Sequence, residues 1–171
     1  MLSEIPLNSK IRAIPKSASQ LIDEGLRRSK TIDCFDFVPS DYHVVYAVLY
    51  SMPRGRFCEW GSGIGIVTGL ADMLGFDACG IEINEQMAEA SRELLADFGL
   101  SATIKTGDYF EISHNADIYF TYCWPGQMLR VEQHFFSATQ THAKLLICHG
   151  AEDVRCKVKP YVLRHFDDPL R

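Results

Sequence analysis

Apolar positions along this chain alternate between a helical and a strand-like period, and the switches predict strands and helices in turn. Ala18, Leu21, Ile22, Gly25 and Leu26 recur at helical spacing, with Ser17 placed to cap that helix after an irregular lead. Residues 31–39 read as a loop. A second stripe of Val44, Val45, Val48 and Met52 begins at Ser40 and stops before Pro53-Arg54-Gly55. Phe57 and Cys58 then form a short buried strand, after which Val67, Leu70, Ala71 and Leu74 return to helical spacing. Residues 78–83 read as the next strand. Asn84 caps a helix whose Met87, Ser91, Leu94, Leu95 and Phe98 share one face, and Gly99 supplies a left-handed stop. Further strands are predicted at 102–106, 117–122 and 143–148, with a helix bearing Met128, Val131 and Phe135 between the last two.

This order implies an α/β fold: a Rossmann-like, doubly wound, mostly parallel sheet with right-handed crossovers. At 171 residues and 47% hydrophobic composition, the chain suits one globular domain with a sizeable core. Within it, residues 1–55 form an N-terminal helical extension that either covers the sheet or roofs a ligand site, and 56–171 form the core. Only 151–171 remain, of which 158–166 could supply one more strand, so the sheet is expected to be abbreviated at its C-terminal edge.

The candidate chemistry lies where the first core strand gives way to its helix, in Glu59-Trp60-Gly61-Ser62-Gly63-Ile64-Gly65. Glycine tolerates positive φ and lets a ligand approach the backbone. A dinucleotide fingerprint needs its third Gly or Ala one position later, where this chain has Ile66, so pyrophosphate binding is disfavoured. Glu59 would sit badly beside a phosphate but suits a cationic sulfonium carrying an amino-acid tail. Glu82 ends the next strand about twenty residues past the central glycine, the offset of a ribose-binding acid.

The run E-x-G-x-G-x-G resembles motif I of the class I S-adenosylmethionine (SAM) dependent methyltransferases. The likeness extends over about residues 55 to 150. It implies SAM as cofactor and S-adenosyl-L-homocysteine as product, with Glu59, Gly61, Gly63, Gly65 and Glu82 as binding residues. It also places Asp108, at the end of the third strand, against the adenine amino group, with Tyr109 beside it. Tyr122, Cys123 and Trp124 follow the fourth strand at the carboxyl rim, where the acceptor should meet the methyl group. Tyr122 and Trp124 are the candidate catalytic pair, able to face a methylammonium with their rings. More narrowly, the segment Phe37-Val38-Pro39-Ser40, G-I-E-I-N and the strand ending in W-P-G look similar to small protein-lysine methyltransferases related to Dot1 and to the mitochondrial ATP-synthase lysine methyltransferase. The D/N-P-P-Y tetrad of enzymes that methylate adenine or glutamine is absent.

The expected acceptor is therefore a nucleophile, with a protein lysine as one reading. A small-molecule N- or O-methyltransferase and a catalytically silent SAM-binding interaction protein are the alternatives. Net charge is −5 with dispersed basic residues, so no nucleic-acid partner is expected. The six cysteines contain no C-x-x-C pair, and no metal site is expected; Cys148-His149 has no further ligands at a usual spacing. His149 is a weaker candidate for a base. Without a signal peptide, lipidation motif or membrane-length apolar run, a cytoplasmic location away from membranes is expected.

Overall fold

The computed structural model describes residues 1–160 except 11, 35, 36 and 151. Seven strands form one sheet: β1 Ser3–Ile5, β2 Arg56–Trp60, β3 Asp77–Glu82, β4 Thr103–Thr106, β5 Ile118–Tyr122, β6 Lys144–Cys148 and β7 Val154–Val158. Their spatial order is β1-β7-β6-β5-β2-β3-β4. The five from β6 to β4 are parallel, and β7 runs antiparallel to both of its neighbours. Five helices connect or cover them: α1 Lys16–Ser29, α2 Tyr42–Ser51, α3 Ile66–Met73, α4 Glu85–Asp97 and α5 Met128–Ala138.

Two expectations are corrected at the edge of the sheet. The lead read as irregular contains β1, which pairs Ser3 with Val158 and Ile5 with Cys156. The sheet therefore reaches seven strands rather than being abbreviated, its outer strand coming from the start of the chain. Three residues before Pro6 are too few to display a period of two, so the pattern could not announce this strand. The strand predicted over 158–166 is realised earlier, as β7, and 161–166 lie outside the described residues.

Helix ends follow local chemistry where a side chain reaches the first turn. The Asn84 side chain accepts from Met87 N at 3.1 Å, and Gly99 has φ +64° just beyond α4. Asp41, one residue later than the expected Ser40, accepts from His43 N at 2.9 Å and Val44 N at 3.2 Å. Ser17 does not cap α1. The carbonyl of Pro15 already accepts from Ser19 N at 3.0 Å, so the helix starts at Lys16 and takes Ser17 inside it.

Strand alternation sends side chains to two cores. Phe57, Ala78, Ile118, Phe120 and Leu146 face the layer made by α1 to α4, in a cluster running from Ala18 to Cys156. Cys58, Trp60, Ile81, Tyr119 and Leu145 face the other side, closed by Val131 and Phe135 of α5. The first helix lies outside α3 and α4. A Cβ on Gly25 would meet Ile66 at 2.5 Å, and one on Gly69 would meet Leu21 at 2.8 Å. Arg28 ties α1 across to Asp97 of α4. The first helix thus covers α3 and α4, the second packs on α3 and reaches β7, and Phe37, Val38 and Ser40 between them lie over the carboxyl ends of the strands.

Candidate functional site

The corner between β2 and α3 is built on three glycines with positive φ: Gly61 at +74°, Gly63 at +52° and Gly65 at +80°. Gly65 is the N-cap of α3, and a Cβ there would lie 1.9 Å from Ser91 Oγ. Both dihedral and space therefore require glycine. Gly61 differs, because a Cβ on it would meet nothing within 4 Å; it borders open space. The loop is tied to β3 by Gly61 N and Ser62 N, which donate to Ile81 O at 2.9 and 3.0 Å.

Two buried carboxylates frame this loop. Glu59 near the end of β2 is 5% exposed, and its Oε2 accepts from Thr68 N at 2.8 Å and from Thr68 Oγ1 at 2.5 Å. It thereby satisfies a first-turn amide of α3. Burial pushes its pKa up to about 8, against the two Thr68 hydrogen bonds that pull it down; the charge of Glu82 adds to the rise. Glu82 at the end of β3 is 7% exposed. One of its oxygens accepts from Gly63 N at 2.7 Å and the other from Asn84 N at 2.8 Å. The acid expected at the ribose therefore also fixes the glycine loop in place.

Glu59, Glu82 and the three-residue run Gly61-Ser62-Gly63 line one cleft of ≈ 360 Å³ beyond the strand ends. The size falls within the range of small-molecule sites. Tyr109, Tyr122 and Trp124 line the same cleft. Trp124 is 48% exposed and meets Tyr122 edge to face, with centroids 6.2 Å apart and planes at 77°. Tyr109 stacks on the buried Trp60 at 5.4 Å with planes 5° apart, so one of its faces is already occupied. Burial raises its pKa to about 12. Gly65 and Asp108 are not part of the cleft lining: Gly65 caps the helix behind it, and Asp108 Oδ1 closes a turn by accepting from Phe110 N at 2.8 Å. His149 also lies outside the lining. Its Nε2 is buried without a hydrogen-bond partner, and burial, reinforced by Arg155 and Lys157, keeps its pKa low. Among the described residues, no group of three His, Cys, Asp or Glu side chains is placed to hold a metal ion.

The roof of the cleft, one of the two roles expected of the N-terminal extension, comes from the segment leading into α2. Phe37, Val38, Ser40 and Tyr42 line it opposite the glycine loop, and a Cβ on Gly63 would meet the Phe37 ring at 2.8 Å. Tyr42 is buried, and its pKa is raised by burial and by the charge of Glu59. Phe37, Val38 and Ser40 belong to the segment that the family resemblance singled out, whereas Tyr42 carried no signal, since periodicity does not rank it. Thr68 was missed as well, because a threonine inside an apolar helical run reads as filler.

No protein-family model and no curated protein sequence matches the chain. Solved structures do match its fold. A Geobacter sulfurreducens methyltransferase superposes with a TM-score of 0.63 at 14% identity, over 87% of this chain and 92% of its own. A Salinibacter ruber RNA methyltransferase in complex with S-adenosyl-L-homocysteine gives 0.55 at 15% identity, over 92% of this chain and 100% of its own. A Podospora anserina methyltransferase, also bound to S-adenosyl-L-homocysteine, gives 0.63 at 14% identity over 82% of this chain and 64% of its own. The chain spans only 46% of a further neighbour, from Pyrococcus horikoshii. The fold is the Rossmann-like fold of the class I methyltransferases, with the outermost strand drawn from the N-terminus.

Proposed function

We propose that the chain is a SAM-dependent methyltransferase whose acceptor is a nucleophilic side chain, a protein lysine being the favoured case. One observation carries the cofactor reading: two buried carboxyl groups flank an open glycine corner, a pair better matched to a cationic group than to a phosphate. The methyltransferases of the same fold that hold S-adenosyl-L-homocysteine support it. On this reading Glu59 faces the cationic end of the cofactor, and Glu82 keeps lone pairs for the ribose hydroxyls while its two amide contacts hold the loop.

The chemistry asks little of the protein beyond placement. The acceptor nitrogen attacks the methyl carbon in line with the C–S bond, the C–N bond forms, and the electron pair returns to sulfur as a neutral thioether. A near-attack arrangement therefore supplies most of the rate. A lysine ammonium must first lose its proton; an aromatic, poorly hydrated pocket beside a sulfonium lowers its pKa, and water can take the proton. Tyr122 and Trp124 offer ring faces to the methylammonium formed. The acceptor reading rests on the cleft mouth, where Trp124 is 48% and Ile83 69% exposed. These apolar surfaces suit a side chain presented by a protein better than a metabolite that must be wholly enclosed. The net charge of −5 gives no support to a polyanionic acceptor. A small-molecule acceptor, or cofactor binding without transfer, is the competing reading.

Calorimetric titration with SAM, S-adenosyl-L-homocysteine and NAD tests the cofactor. Binding of the first two without NAD is expected, and micromolar NAD binding with no response to SAM would overturn the assignment. Methyl-labelled SAM added with a native cell extract then tests the acceptor. Label is expected in protein; label confined to small molecules would replace the lysine reading.

A further inference from the structure

We infer that Thr68 is a positioning residue for Glu59: by holding one carboxylate oxygen it turns the other toward the cleft, where the cofactor's ammonium group would meet it. The inference rests on the SAM reading given above and concerns a residue outside the glycine motif.

The geometry is specific. Thr68 is fully buried in the first turn of α3 and directs both of its donors, the backbone N–H and the hydroxyl, at the same Glu59 oxygen. A carboxylate gripped at Oε2 by two donors on one neighbour has a fixed plane, which leaves Oε1 as the oxygen available to a ligand. Glu59 lines the cleft, whereas Thr68 does not, so Thr68 acts only through Glu59.

The surroundings of Glu59 set its charge. Glu82 on β3 faces it and opposes a second negative charge, the Tyr42 hydroxyl approaches from α2, and the thiol of Cys58 precedes it on its own strand. Thr68 supplies the hydrogen bonds that favour the charged form, while burial favours the neutral one. With a pKa near 8, the ligand-free protein carries Glu59 mostly protonated at neutral pH. An arriving ammonium group favours the carboxylate, so the proton leaves to solvent as the ion pair forms. Removal of the Thr68 hydroxyl raises the cost of that ionisation.

Selective ¹³C labelling of glutamate carboxyl groups follows Glu59 directly in the ligand-free protein, with Glu59→Gln identifying its signal. The wild-type signal is expected to titrate near pH 8. Thr68→Val, nearly isosteric, is expected to move the midpoint up by about one pH unit. Thr68→Ser keeps the hydroxyl and should restore the wild-type midpoint, and Thr68→Ala replaces the valine variant should the latter disturb packing. Calorimetry at pH 7 in buffers of different ionisation enthalpy counts protons: close to one released per SAM in the wild type and none in Glu59→Gln. Thr68→Val should bind SAM about tenfold more weakly, with Thr68→Ser near wild type. An unshifted Glu59 midpoint in Thr68→Val, with SAM binding intact, overturns the role of Thr68 alone. A shifted midpoint in a protein that does not bind SAM overturns the cofactor reading and the ammonium contact with it.

Discussion

At the scale of single residues, Trp124 separates a functional aromatic from a structural one. Its indole is half exposed at the cleft mouth, whereas Trp60 is buried among Tyr109, Tyr119 and Phe135. Pro125 follows Trp124 and restricts its backbone, so the ring is presented in a narrow range of directions. Trp124→Ala is expected to slow methyl transfer roughly tenfold, about 1–2 kcal/mol of cation–π and packing interaction. Affinity for SAM and the melting temperature should stay close to wild type, because truncating an exposed ring leaves no core cavity. Melts and SAM titrations on one preparation check this; a large stability loss with a proportionate loss of SAM binding would return Trp124 to the core. The position of Glu59 near the cleft was legible from its place before the glycines. Its partner Thr68 was not, since the bond between them depends on how α3 is rotated, which spacing alone does not specify.

At the scale of elements, the β2-to-α3 corner is where sequence and structure agree most closely, because its glycines answer to backbone geometry. Gly65→Ala forces a side chain into a left-handed conformation and drives its Cβ onto Ser91 Oγ. A loss of about 2 kcal/mol or more is expected from these two effects. Adding Ser91→Ala removes the oxygen in the way and should recover part of that loss, leaving the dihedral cost; denaturant unfolding of the single and double variants measures both. Full recovery would mean that the left-handed conformation costs nothing. Caps were equally readable where one side chain does the capping, as at Asn84. The cap of α2 fell one residue later than expected, and the cap expected at α1 failed because a proline carbonyl begins that helix instead.

At the scale of the whole molecule, the buried acid gives stability an unusual pH dependence. A folded pKa of about 8 for Glu59 lies well above the ordinary 4.5, so the native state holds a proton that the unfolded chain has already lost. Its contribution is complete below the ordinary value and is lost as pH rises through about 8. His134 and His149, kept neutral by burial, act in the opposite sense, but their contribution is complete above their ordinary 6.5. Between pH 7 and 8.5 the ligand-free protein is therefore expected to lose melting temperature relative to Glu59→Gln, the other titrating groups, buried thiols among them, being common to both. A wild-type melting temperature that rises relative to the variant across this window would contradict the buried, protonated state. The mostly parallel, doubly wound sheet followed from the alternation of strand and helix periods. The sheet edge did not, because it joins the two ends of the chain, and no local pattern records a partner so distant.

That edge also bears on how the protein is made. Ser3 precedes its partner Val158 in synthesis by every other strand of the sheet. Until then β6 has an open backbone on the side that β7 later covers. An unpaired strand edge is a template for other chains, and contacts this far apart in sequence form slowly. A newly synthesised molecule is thus exposed to edge-to-edge association at β6 for an interval that closes when β7 pairs there and β1 folds back onto its far side.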